Sequence, residues 1–525
     1  MIASSLAKIF PDECPVPENI RITTLKGETA SFQFVFEAAA GVHTLNISAS
    51  NDLQIEKFSV EYVPIDTKQG KEDDDFLLKD GEPGFYPDVL VPFDDSFEIK
   101  HEGYNSIWID ITSENAGDFE IDLCLDNIIN EKAKITVYDC EKPKQTLKYT
   151  NWFHCDCLAT QYNVPVFSPE HWTLIENYMS MAARHGMNMI LTPLFTPPLD
   201  TEVGGERPTV QLVDVAKSGN KYTFCFNKLL QWVSLCDKYG IEYLEMSHLF
   251  TQWGAKAAPK IMATVDGKYT QLFGWDTKAS GIAYRSFMLQ FIPAFNGFIK
   301  ENGLADRVYF HVSDEPGEND MNSYMRAHRM LLPLLNRYKH IDALSRYEYY
   351  EKHLVEIPVP GEGSVHDFDR TECEKWVYYC CGPNGDGFIN RFIFMPSVRA
   401  RVLGAVMYRH GQTAFLHWGY NFWYSTGSKK YLDPYTENTA GGDLPAGDGF
   451  VVYPGKNMQP YASIRLKQMR DFVGDYEALL LLEKKIGRHN TMELLPHDID
   501  YNKFPQDSHW LLNLRNKVNF ELAKK

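Results

Sequence analysis

The rhythm of hydrophobic and polar positions changes once along this chain, near residue 148. Ahead of it, segments 20–24, 30–36, 106–111, 119–123 and 133–138 alternate with period two. Alternation puts one strand face on a core and the other in water. Short strands separated by turn residues predict an N-terminal antiparallel β-sandwich over residues 1–145. The charged, glycine-bearing stretch 69–84 is expected to be a loop. Over residues 146–525, short apolar runs alternate with stretches of helical period. The strands fall at 149–154, 187–192, 241–246, 307–313, 341–345, 355–358, 376–380 and 413–417. Helices fall at 169–185, 227–239, 281–301, 319–337 and 394–409, with a final one at 460–485 and the fifth and sixth poorly marked. Eight strand–helix units predict an α/β domain, a (β/α)8 TIM-like barrel with insertions and C-terminal helices. An open doubly wound sheet shares this alternation, but no glycine-rich phosphate loop follows the first strand.

Barrels of this kind place their chemistry at the C-terminal ends of the strands. Those ends carry His154 and Asp156 on the first strand, Glu245 and His248 on the third, Asp314 and Glu315 on the fourth, Tyr378 and Tyr379 on the seventh, and His417 and Trp418 on the eighth. The adjacent carboxyls Asp314 and Glu315 stand out. Pro316 cannot donate to a ladder and biases Glu315 away from helix, so the strand stops there. Two neighbouring acids raise one another's proton affinity, so one can stay protonated as a general acid while the other ionises. Ordinary glycosidases set two carboxyls across the scissile bond, about 5–5.5 Å apart when retaining and about 6.5–9.5 Å when inverting. Sequence neighbours fit the substrate-assisted exception better, in which a 2-acetamido oxygen of the sugar attacks the anomeric carbon. The same residues also suit a helix N-terminus, where acids belong.

Composition narrows the partners. The net charge of −18 repels phosphate backbones, which excludes nucleic acid as an expected ligand. Aromatic residues make up 14% of the chain, a surplus that suits packing on pyranose faces and equally suits an aromatic core. No basic and apolar leader opens the chain, so a cytoplasmic protein with reduced thiols is expected. No run of about 18 apolar residues suggests a membrane span. The 10 cysteines lack zinc-finger spacing, and His154, Asp156, His248 and His311 lack an HExxH-type pattern. Neither a metal nor a cofactor is expected. The expected partner is a small carbohydrate or glycoside.

The segment His311–Pro316 resembles the Asp-Glu-Pro signature of glycoside hydrolase family 123 and its relatives, which include exo-acting β-N-acetylgalactosaminidases. Segments 415–423, 447–455 and 463–477 are similar to the domain of unknown function 4091 of that superfamily, and 27–35 to the opening of its β-sandwich. The resemblance implies that Glu315 is the general acid/base and that Asp314 holds the acetamido nitrogen and stabilises an oxazolinium ion. It favours N-acetylgalactosamine over N-acetylglucosamine. Members often carry secretion signals, and the lack of one here points to imported oligosaccharides.

Further candidates surround the pair. His417, Trp418, Tyr420 and Trp423 form either an aromatic floor under a sugar or a packed loop. One of Tyr378 and Tyr379 is expected on the acetamide oxygen. Trp253 and Trp275 are candidates for a pocket wall. Asp448, in a Gly-Asp-Gly turn, is a candidate for sugar hydroxyls, and Glu245 with His248 for support of Glu315. His154 joins them at the mouth. Arg465 and Arg470, with Asp471, Asp475 and Glu477, are expected to form ion pairs on the last helix. Two other functions stand beside the acetamido reading: a glycosidase on another sugar, using Glu245 or Asp448 as a second carboxylate, and a carbohydrate-binding protein without turnover.

Overall fold

The computed structural model describes residues 1–17, 20–65, 73, 75–78 and 84–524; most of the loop expected at 69–84 lies outside them. The N-terminal region is β-rich. Its first sheet runs Ile2–Ser4, Ala30–Ala38, Gly103–Thr112, Gln54–Ile65, Gly84–Pro92, and its second Ile22–Lys26, Ile129–Glu141, Gly117–Leu125, Gly41–Ser48, Ser96–Ile99. Period-two alternation explains how they meet. Phe32, Phe34 and Phe36 of the first sheet share one buried cluster with Ile121, Leu123 and Leu125 of the second. Two details depart from an antiparallel sandwich confined to residues 1–145. Ile22–Lys26 runs parallel to Ile129–Glu141, and the first sheet is extended by Pro460–Ser463 and Val452–Pro454 from the far end of the chain.

Eight short parallel strands follow: β1 (Lys148–Asn151), β2 (Met189–Thr192), β3 (Tyr243–Met246), β4 (Val308–Phe310), β5 (Lys339–Ala343), β6 (Ile357–Val359), β7 (Trp376–Tyr378) and β8 (Ala414–His417). β2 to β6 pair in chain order as one sheet, and β1–β8–β7 form another. At one seam the Asn188 side chain substitutes for a ladder, accepting from Tyr149 N (2.9 Å) and donating to Leu147 O (3.0 Å). At the other, Tyr378 N donates to Pro360 O (3.0 Å). Alternate strand residues, among them Leu191, Tyr309, Ile341, Val359, Trp376 and Leu416, converge in one inner cluster. Their neighbours Ile190, Phe310, Val377 and Phe415 face outward into the larger core shared with the helices.

Among those helices are α1 (Pro169–Arg184), α2 (Asn227–Tyr239), α3 (Ile282–Glu301), α4 (Met321–Leu335), α5 (Ile464–Ile486) and α6 (Ser508–Ala523). α1 starts where Ser168 accepts from His171 N and Pro169 takes the first turn, and α2 stops at Gly240 in a left-handed conformation (φ 74°). α5 begins four residues later than the pattern predicts, because 460–463 is spent on the first sheet. The helix expected at 394–409 is broken into Ser397–Arg401 and Leu403–His410. Two antiparallel pairs, Asp214–Ser218 with Lys221–Cys225 and Ile261–Val265 with Lys268–Phe273, form a further small sheet that the strand–helix reading omitted.

Helix α5 fastens the two regions together. Arg465 donates to both oxygens of buried Asp88 (2.9–3.2 Å), which also accepts from Tyr453 OH (2.7 Å). Lys467 and Arg470 both reach buried Asp110 (2.7 and 3.1 Å). Arg465 and Arg470 therefore do form structural ion pairs. Removing one partner of such a pair strands the other charge without solvent, at a cost of about 3–5 kcal/mol. Asp88→Ala is expected to lower unfolding stability by about that amount, read from the denaturant midpoint at unchanged m-value. A midpoint unchanged from the parent would remove the clamp from this account.

Candidate active site

The acid pair sits on the segment that leaves β4. Its backbone is held from both sides. Ser313 Oγ donates to Thr251 O (3.0 Å) and accepts from Gly254 N and Ala255 N (3.2 and 3.1 Å). Trp253 N donates to Asp314 O (2.9 Å), and Glu315 N to Ala343 O (3.0 Å) at the end of β5. Glu315 itself is left-handed, with φ 39°. A non-glycine residue there costs of order 1–3 kcal/mol and persists only where its surroundings over-determine it. The turn ends the strand's alternation just where two consecutive acids are needed at one mouth.

Below the pair lies a fully buried network. Glu245 Oε1 accepts from Trp152 Nε1 (2.7 Å) and faces His311 Nε2 (2.8 Å), while its Oε2 accepts from Thr150 Oγ1 (2.8 Å). His311 Nδ1 faces Asp342 Oδ1 (3.1 Å). Asp342 also accepts from His340, Tyr324 and the amides of Val312 and Ser313. With a carboxylate at each ring nitrogen, His311 must donate from both, as an imidazolium. Burial pushes its proton affinity down, but Asp342 and Glu245 outweigh that and raise it to about 9. Burial likewise works against ionised Asp342, and His311 and His340 hold it well below the usual carboxylate range.

The mouth is rich in carboxyls. Tyr378 OH donates to Glu315 Oε1 at 2.6 Å. Burial, then Glu315 and Asp200, push Asp314 well above the usual carboxylate range, with His311 pulling the other way. Asp200, on the loop after β2, is raised to about 7 by burial, with Arg207 opposing and Glu315 reinforcing. Asp448 is also raised to about 7 by burial, against the pull of Arg391.

A second chain of contacts orients Trp418. Arg391 donates to His417 Nδ1 (2.6 Å), which also accepts from Gly419 N (3.0 Å). The imidazole proton is therefore on Nε2, which faces Asp448 Oδ1 at 3.4 Å. Asp448 Oδ2 accepts from Trp418 Nε1 (3.0 Å). Burial and Arg391 hold His417 neutral.

Strand parity sorts the expected residues. Tyr378 shares the inner face with Trp376 and reaches Glu315. Tyr379 faces outward, fully buried, against Met469 (3.5 Å). Trp418 keeps a partly exposed edge, whereas His417 and Asp448 are buried behind it. Tyr420 and Trp423 lie in the core, donating to Tyr178 O and Val452 O; for these two the packed loop is what the structure contains. Glu245 supports the pair from beneath and has no exposed surface, which removes it as a second carboxylate at the mouth. His248 stacks on His311 (centroids 4.2 Å apart) and does not touch Glu315. His154 braces the Trp418 carbonyl (3.0 Å) and accepts from Arg207, whose guanidinium is bidentate on Asp156 (2.8 Å twice). That pair holds the Arg207 guanidinium. Trp253 is half-exposed beside the Asp314 backbone, and Trp275 donates to Gly205 O (3.2 Å) and steadies the loop that carries Asp200. Asp200, Arg207, Arg391 and Asp342 were missed; none stands in a motif, and only the Pro-Pro turn ahead of Asp200 marked its loop.

Among the described residues, two groups bring three histidine and carboxylate ligand atoms within 4.8 Å of one another: His248 with His311 and Asp342, and His366 with His410 and Asp500. In the first, hydrogen bonds already occupy both His311 nitrogens and both Asp342 oxygens. No helix among the described residues is long and apolar enough to cross a membrane.

Paired acids beside a tyrosine hydroxyl, at the C-terminal ends of parallel strands, make this the candidate active site. The chain belongs to glycoside hydrolase family 123: the profile "Glycoside hydrolase 123, catalytic domain" matches residues 152–482, more than half its length. It is therefore a glycoside hydrolase with a carbohydrate substrate. No curated protein matches it. A family 123 glycoside hydrolase from Clostridium perfringens, described for glycolipid glycan hydrolysis, shares its fold at 14% identity and TM-score 0.73, over 99% of this chain and 96% of that one. Weaker likenesses include a Parabacteroides merdae β-glucuronidase (11% identity, TM-score 0.32, 84% and 54% covered) and a Bacteroides ovatus family 5 xyloglucanase (8%, 0.30, 87% and 98%).

Because the folded state raises the His311 proton affinity, its contribution to stability is complete below the unfolded value near 6.5 and is lost as pH rises through about 9. Stability is expected to fall between those limits. In His311→Gln that part of the slope should vanish. An identical pH slope in the two proteins would mean that His311 is neutral.

Proposed function

We propose that this glycoside hydrolase releases terminal β-linked N-acetylhexosamine, N-acetylgalactosamine above all, by substrate-assisted catalysis with retention. The observation that carries this reading is the kinked strand end that sets Asp314 and Glu315 side by side, with Tyr378 bonded to Glu315. Adjacent acids on one turn are poorly placed to straddle a scissile bond, whereas the substrate's own acetamide supplies the nucleophile from the opposite face. Its oxygen attacks the anomeric carbon as Glu315 gives a proton to the departing oxygen. Asp314 accepts the acetamide N–H and offsets the charge of the oxazolinium ion. Glu315 then takes a proton from the water that opens the ring.

The crowded charges give this sequence its proton bookkeeping. Before substrate arrives, the raised affinity of Asp314 makes it a resting place for the shared proton. An acetamide N–H donating to Asp314 favours its ionised form and releases that proton to the pair, leaving Glu315 as the acid. Trp418 offers an edge for the sugar, with Asp448 holding the indole. The same reading takes β1–β8 as a (β/α)8 barrel closed across both seams. It takes residues 1–145 and 146–525 as sandwich and catalytic domains and places the protein in the cytoplasm, on imported oligosaccharides. A second reading rests on Asp200, whose proton affinity Glu315 raises and whose charge acts on Asp314. It would serve as the separate carboxylate on a sugar without an acetamide.

A panel of nitrophenyl glycosides separates the two. Release is expected from β-N-acetylgalactosaminide, and to a smaller extent from β-N-acetylglucosaminide. Glu315→Gln and Asp314→Asn should each lower kcat by about 100-fold or more. Release only from glycosides lacking the acetamide, abolished in Asp200→Asn, would overturn the first reading in favour of the second.

A further inference from the structure

A group of side chains remote from the acid pair leaves a buried imidazole nitrogen without a hydrogen-bond partner. Three separate segments supply it. His366 comes from the short helical turn Glu362–Phe368 that follows β6. His410 ends the helix Leu403–His410, ahead of the N-terminal end of β8. Asp500 lies in the loop before α6. His366 Nε2 is 2.9 Å from Asp500 Oδ2, and His410 Nε2 is 3.2 Å from Asp500 Oδ1.

The other nitrogen of His366 faces Asp369 Oδ2 at 3.1 Å. His410 Nε2, although 3.2 Å from Asp500 Oδ1, makes no hydrogen bond. A buried imidazole nitrogen is thereby left without a partner beside a carboxylate and a second imidazole.

We propose that His366, His410 and Asp500 form a binding site for a divalent transition-metal ion of zinc type, with solvent in the remaining position. Two imidazoles and one carboxylate are a borderline donor set that suits such an ion. The three ligand atoms lie within 4.8 Å of one another, so a modest contraction brings them onto one ion. One outer partner is in place: Asp369 holds the far nitrogen of His366, as a metal-bound histidine requires. His366 and Asp500 keep 48% and 32% of their side chains exposed, which leaves an entry path and room for a water ligand. Binding displaces the proton otherwise held between His366 and Asp500 and ties three segments distant in sequence into one clip. The site lies away from the acid pair and needs no part of the catalytic reading.

The test is titration of Zn2+ into the chelator-treated full-length protein under reducing conditions, followed by calorimetry and thermal unfolding. One equivalent is expected to bind, to raise Tm and to be lost in His410→Ala. Asp369→Asn, which keeps all three ligands, should weaken binding by about 10–100-fold. Co2+ in place of Zn2+ should give visible absorption bands, absent in His410→Ala. Absence of uptake overturns the proposal, as does an equivalent retained in full by His410→Ala, which would belong to other ligands such as the cysteines. Should His410→Ala fail to fold, the Asp369→Asn affinity and the Co2+ spectrum of the parent decide.

Discussion

Asp342, at the end of β5, accepts from the amides of Val312 and Ser313, from Tyr324 and His340, and from the ring of His311, with no exposed surface. Those two amides belong to the segment that carries Asp314 and Glu315, so the position of the acid pair is set from beneath by this carboxylate. A buried acid is expensive unless its charge is met. His311 meets it, and Glu245 on β3 holds the other nitrogen of the ring. Three neighbouring strands are thereby tied at the level where ladder bonding stops. A hydrophobic plug of equal volume could fill the space but could not hold two backbone amides of a strained turn. The left-handed Glu315 persists because its neighbours leave the chain no other path.

The same economy recurs where the β-rich region meets the catalytic one. Asp88 and Asp110 lie on the first sheet, and their partners Arg465, Lys467 and Arg470 recur along one helix that follows directly on two strands of that sheet. Strand and helix together make a joint with both hydrogen-bonded and ionic parts. α6 packs on α5 and on the second sheet, closing the joint from the other side. A relative rotation of the two regions would have to break buried ion pairs, so the N-terminal sheets form a fixed buttress to the site.

Much of this could be read from residue pattern, for a physical reason. All eight parallel strands fall within the predicted runs or within two residues of them, because a strand buried on both faces is a short apolar run between amphipathic helices, a signal that survives any loop insertion. The small sheet at 214–273 escaped because three of its four strands are largely exposed and mix polar with apolar residues, although Asp266-Gly267 is a hairpin signal. The acid pair was legible because its residues are consecutive. Parity then limits what strand-end reasoning can do. Tyr378 and Tyr379 are equivalent in sequence, and the inner face, set by Trp376, decides between them. Tyr420 and Trp423 looked like a sugar floor only because aromatic rings serve cores and pyranoses alike. Asp200, Arg207, Arg391 and Asp342 reach the site from four loops and strand ends, and no local spacing records such convergence.

The site's electrostatics bear on which sugars it can accept. Glu315 raises the proton affinity of Asp200 and Asp314, and Asp200 raises that of Asp314 and Asp448, while Arg207 is paired with Asp156, His311 with its two carboxylates, and Arg391 donates to His417 and Asn151. A uronic acid or sulfated sugar would bring a further negative charge into a mouth already crowded with carboxyls, and Coulomb repulsion in a partly desolvated pocket is strong. A neutral sugar instead offers hydroxyl and amide hydrogens to acceptors that are short of donors. Under the proposed mechanism, the crowding that would keep a proton available for the leaving group would also act as a filter. Catalysis and selection for an uncharged sugar would then rest on the same set of carboxyls.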